Sequence, residues 1–198
     1  MRPQIDVPPG LDPKPYYAAA FGIGIAAAGI MTLLMWVARA AGWTQLDLAM
    51  ILGTASVFTD QPGGGAWTQG LVVMLLFGGI FALAYAWVFE FWPHHTARAW
   101  IGALAGVVHA VIGGAMMWWM MPLLHSGGAM DPRLADPGFM AANYGSASAA
   151  EFILLHIVYG TVIGGWMHFA PVATRYLAAL TARDKDDSQR PGLTPHAA

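Results

Sequence analysis

The stretch Trp100–Met121, WIGALAGVVHAVIGGAMMWWMM, decides the fold, and Glu151–Phe169, EFILLHIVYGTVIGGWMHF, repeats its pattern. The first sets Gly102, Gly106, His109 and Gly113 at steps of four, three and four; the second sets His156, Gly160 and Gly164 at steps of four. Such steps fall on one side of a helix, so each stretch carries a stripe of small residues interrupted by an imidazole. Small-x3-small stripes let helix backbones approach closely in lipid, where packing rather than the hydrophobic effect drives association. An ionisable group within one is costly unless partnered. These two stretches are therefore expected at the centre of a membrane helix bundle, with Gly102, Gly106, Gly113, Gly160 and Gly164 as inter-helix packing positions.

Composition agrees. The chain of 198 residues is 57% hydrophobic and 10% charged, with no cysteine. A soluble domain carries about 25% charged residues. Lack of cysteine excludes disulfides, thiolate metal sites and thiol catalysis. No basic run suggests nucleic acid. The expected fold is all-α: four transmembrane helices in a bundle plus a short outer-face amphipathic helix. Residues 1–15 form an arm, 16–171 the bundle and 172–198 a tail.

Taken in order, span one covers about 16–41. Gln45–Phe58 is apolar but too short to cross, with Asp47 near its start, and is expected along the membrane surface or packed on the bundle end. Span two, about 67–91, carries Met74, Gly78, Ala82 and Ala86 at steps of four, a third small stripe with methionine in the histidine's place. The tight Pro93-His94-His95-Thr96 connection makes spans two and three antiparallel neighbours. Span three ends at Pro122, and a long loop, 123–148, follows. Ser148 and Glu151 form a capping box opening span four, which ends near Pro171.

Cations set the sidedness. Arg2, Lys14, Arg98, Arg175, Arg183, Lys185 and Arg190 lie on the side of both termini, against Arg39 and Arg133 on the other. Seven against two places both termini in the cytoplasm. The motif order, closing on Glu151-Phe-Ile-Leu-Leu-His156-Ile-Val-Tyr159-Gly160, resembles uncharacterised four-span prokaryotic membrane proteins grouped as a domain of unknown function. The resemblance covers most of residues 18–169 and implies fold and membrane location, but no activity.

His109 and His156 count to one depth, roughly 18–20 Å from the inner surface at ~1.5 Å per residue. Facing histidines at one level suit axial ligation of haem b, with Met74 as a thioether alternative. The plainer expectation is a polar clasp, each imidazole bonded to a carbonyl or to Tyr85, Tyr159 or Thr161. His94, His95 and His168 form a candidate inner-face metal set, and His125 with Asp131 and Asp136 an outer one. Glu90 and Glu151 are expected as interface or cap residues. The Met116–Met121 run, read as pointing around its helix, is expected to pack and face lipid rather than hold copper.

No carboxylate, lysine or arginine falls mid-membrane, which argues against an ion-coupled transporter. Three functions compete. The first is a non-catalytic accessory or assembly subunit of a larger membrane complex, such as a respiratory one, suggested by more small-residue faces than one bundle needs. The second is a haem-bearing redox carrier. The third is a small-molecule channel or transporter. Lipid and other membrane subunits are the expected partners.

Overall fold

A computed structural model describes residues 14–55, 62–91, 98–125, 134 and 136–188. The elements are α1 (Lys14–Ala40), α2 (Leu48–Gly53), α3 (Gly64–Phe91), α4 (Ala99–Leu124), a kinked 3-10 segment (Phe139–Tyr144) and α5 (Ser146–Ser188), with no strand among the described residues. Four stretches are long and apolar enough to cross a membrane: Tyr17–Ala40, Gly64–Phe89, Ala99–Leu124 and Ser146–His168. The fold is an all-α, four-helix bundle of membrane type. Its outward faces carry large apolar side chains, among them Trp36, Leu104, Val108, Trp118, Trp119 and Leu154. That pattern suits a hydrocarbon surround, where helices satisfy their backbone groups internally.

The small stripes weld the helices into two pairs. On α1 and α3, Gly24 and Gly78 are so close that a Cβ on either would strike the other's carbonyl, with Ala28 and Ala82 completing the contact. On α4 and α5, Gly102 meets Gly160 and Gly164, and Gly106 meets the His156 carbonyl. The two pairs join where α1 packs on α5. The helix order around the bundle is therefore α3–α1–α5–α4. Spans two and three meet through side chains, Phe81 and Tyr85 against His109, and not at backbone distance. A tight turn constrains chain ends, but the bulky Phe77, Phe81 and His109 keep these two backbones apart.

The contact line of α4 runs through Gly102, Gly106, Ala110 and Gly114, all buried. Gly113, expected in that line, lies to one side: a Cβ there would meet only His156 Nε2 at 3.5 Å and Phe152 at 3.6 Å. Strict four-residue steps carry the ridge to Gly114, which receives Met140 from the 3-10 segment. Met140 (φ 52) and Ala141 (φ 62) both take the left-handed conformation there.

The helix α2 takes the second of its two expected placements, on the bundle. Leu48, Ala49, Ile51 and Gly53 are buried. Gly53 and Gly70 lie against the carbonyls of Ala66 and Ala49, so α2 nests on α3 at backbone distance. Residues 56–58 of the expected apolar stretch lie outside the described residues. Asp47 caps α2, accepting from the Met50 amide at 2.9 Å, and pairs with Arg39.

Three helix ends differ from expectation. α4 continues through Pro122 to Leu124, because a proline in the last turn removes only one hydrogen bond. α5 begins at Ser146 after Gly145 (φ 103), so Ser148 lies inside the helix and no capping box forms. Ser148 Oγ instead donates to the Tyr144 carbonyl (3.3 Å) and accepts from the Gln45 amide (3.2 Å). α5 also runs on through Pro171 to Ser188, so residues 172–188 are helical.

Candidate functional site

Between α3 and α4, where the backbones stand apart, lies a cavity of about 170 Å³. Its inner wall is Met31 and Ala28 of α1, its far wall Phe152, His156 and Tyr159 of α5, and its cover Leu48, Ile51 and Leu52 of α2. Phe77 (45% exposed) and Met116 (40%) line the cavity and also reach the surface, placing its mouth on the flank between α3 and α4. Towards the opposite end of the bundle the core is filled by Tyr85, Ala86, Phe89, Ile163 and Met167. These side chains close the cavity at that end.

His109 and His156 both face this cavity. Their ring centroids are 4.8 Å apart and the rings stand at 86°, edge to face. His156 Nδ1 lies 2.7 Å from the Phe152 carbonyl of its own helix, so Nδ1 carries the proton and Nε2 the lone pair. Nε2 points towards Gly113. His109 packs on Phe81 at 4.4 Å between centroids, and its Nδ1 is 3.4 Å from Tyr85 Oη. Tyr159 meets His109 edge to face with ring centroids 5.7 Å apart, but its hydroxyl donates to the Gly78 carbonyl across the bundle. Thr161 bonds back to Ile157 at 2.7 Å in its own helix.

Met74 lines the same cavity. So do Met116, Met117, Met120 and Met121, which corrects the expectation that this run spreads around the helix. At about 100° per residue, positions 116, 120, 117 and 121 fall at about 0°, 40°, 100° and 140°, within one arc. Trp118 and Trp119 fall at about 200° and 300° and are 62% and 66% exposed. The doubled Met-Met-x-x-Met-Met spacing carried that signal in the sequence. Six of the chain's 12 methionines thus line one cavity.

The geometry does not fit haem. Axial imidazoles must aim nitrogens at one metal from opposite faces, about 4 Å apart at ~2 Å per bond. Here the rings meet edge to face in contact, and beside them the Gly106–His156 backbone approach leaves no slot for a macrocycle. Of the two candidate metal sets only part lies among the described residues. His168 is exposed, while His94 and His95 lie outside the described residues. His125 is buried against Thr54 Oγ1 (3.2 Å) and the Met121 carbonyl (2.9 Å). Asp136 accepts from the Gly138 amide at 3.1 Å, and Asp131 lies outside the described residues. Among the described residues no three His, Cys, Asp or Glu gather around a common point.

Glu151 is a buried anchor at the α2 end. Oε2 accepts from Thr44 Oγ1 at 2.6 Å, while Oε1 is buried without a partner among the described residues. Glu90 has no described side chain. Comparison of the chain with family models, curated proteins and solved structures gave no match.

Proposed function

We propose that this chain is an integral membrane protein that binds a small lipid-soluble molecule between α3 and α4. One observation carries the reading: an apolar cavity, closed at its far end, opens on the flank that would face lipid, where the helix backbones stand apart. Apolar pockets with a few placed polar groups are the usual form of small-molecule sites. Its blind end supports binding over conduction. The excess of cations beside the termini supports a cytoplasmic placement of both termini, and the resemblance of the motif order supports a prokaryotic inner membrane. A periplasmic C-terminal reporter would overturn that orientation.

The test is extraction. Protein purified in mild detergent should yield a small lipophile by mass spectrometry. Gly113→Leu, which fills the cavity, should lose it. Identical extracts from the two proteins would overturn the reading.

A second reading keeps the accessory or assembly subunit, and a narrower observation favours it. Most small-residue contacts are consumed inside the bundle, but Ala18, Gly22 and Ala26 remain exposed on α1, with open space beside Gly22 and Gly29. Such a face suits a neighbouring helix in lipid. Stoichiometric partners co-purifying with wild type but not with Gly22→Leu would support it.

A further inference from the structure

We infer that the occupant is a hydroxyl-bearing single aromatic ring on an apolar tail: a quinol or an alkylated phenol. The inference rests on the ligand-binding reading above and names its ligand class. Four observations converge on it.

The first is size. A cavity of about 150 Å³ lined by apolar side chains takes up benzene, and this one holds about 170 Å³. One substituted ring fits; a fused polycycle does not.

The second is the polar handle. His156 gives its Nδ1 proton to Phe152, so the nitrogen it turns towards Gly113 can only accept. No hydrogen bond to Nε2 is made among the described residues. That acceptor opens on an apolar cavity, and a ligand that donates to it there gains a hydrogen bond. A phenolic hydroxyl donates; a quinone carbonyl does not.

The third is the lining. Thioethers of Met74, Met117 and Met121 with the rings of Phe81 and Phe152 make a soft, adaptable wall, and sulfur packs favourably at the edge of an aromatic ring. The fourth is the mouth. Between Phe77 and Met116 the cavity opens on a face otherwise apolar, so a tail attached to the ring would leave directly into hydrocarbon.

The same thioethers and imidazoles are donors for a soft cation such as Cu(I). No carboxylate lines the cavity to offset a positive charge at this depth. An uncharged occupant is favoured.

Three probes in nanodiscs test this: a decyl-substituted benzoquinol kept reduced anaerobically, its dimethyl ether, and the matching quinone. Ring and tail are shared, and only the first can donate. Wild type should bind the quinol about tenfold more tightly than either other probe, the usual scale of one hydrogen bond. His156→Phe should bring the three within about twofold of one another, and Gly113→Leu should bind none. Equal affinity of wild type for all three would overturn the hydroxyl assignment while leaving the cavity as a binding site. Stoichiometric uptake of Ag(I) with no quinol binding would overturn the ligand class. Retention of some other lipophile, with none of the probes bound, would also overturn the class but not the ligand-binding reading. The comparison among probes on wild type stands even if a variant fails to fold.

Discussion

Gly102 and Gly160 pack backbone against backbone, so that a methyl on either would overlap the carbonyl oxygen of the other. Helix backbone cannot yield as a side chain can. Gly160→Ala should therefore cost about 1–3 kcal/mol, the range for overpacked cores, read by thermal unfolding in detergent. Gly22→Ala, with open space beside it, should be neutral or stabilising by up to about 1 kcal/mol from helix propensity. Equal losses at both positions would show that the α4–α5 contact is not as tight as described.

Thr44 and Glu151 couple the loop before α2 to the start of α5. Thr44→Val strips the carboxylate of its donor and should cost about 1–3 kcal/mol, the penalty for an unpaired buried polar group. Glu151→Leu in the same background should recover part of that loss, since an apolar group replaces an orphaned charge. Strictly additive losses in chemical unfolding would refute the pairing.

Asp47 has two tasks, capping α2 and pairing with Arg39. Asp47→Ala should lose about 1 kcal/mol as a missing cap and speed hydrogen exchange across 48–53. Asp47→Asn keeps the cap and should show a smaller change. If the two variants exchange equally fast, the ion pair rather than the cap holds α2.

Tyr159 ties α5 to the backbone of α3 through the hydrogen bond of its hydroxyl to the Gly78 carbonyl. Tyr159→Phe keeps the ring and should cost about 0.5–1.5 kcal/mol. Unfolding in detergent measures it. No loss would mean that packing alone joins the helices there.

How much was legible in the sequence follows from which forces are local. Gly24, Gly78, Gly102, Gly106, Gly160 and Gly164 repeat at helical steps, so their contacts could be anticipated from one chain read alone. The pairing of the stripes could not, because every small face fits every other, and the bulky Phe81–His109 contact that stands between α3 and α4 joins residues far apart in the chain. The two histidines were visible as a pair in one small-residue setting. Their cavity was not, since it is made by side chains from five helices. The Met116–Met121 run was readable through its rotation, with two Trp on the far arc, but consecutive identity masked it. Pro171 misled, because a proline weakens a helix locally without being obliged to end it.

The α3–α1–α5–α4 order makes the bundle an open clasp rather than a closed ring. Three of its seams are stiff, held at α3–α1 and α5–α4 by glycine backbones and at α1–α5 by helix packing. The fourth, between α3 and α4, is held by rings and thioethers, which slide and reorient. Side pressure from the surrounding acyl chains must therefore be absorbed at that seam, narrowing or widening the mouth between Phe77 and Met116. On the ligand-binding reading proposed above, bilayer thickness and lipid packing would control occupancy, acting through the mechanics of one unzipped edge with no second binding site.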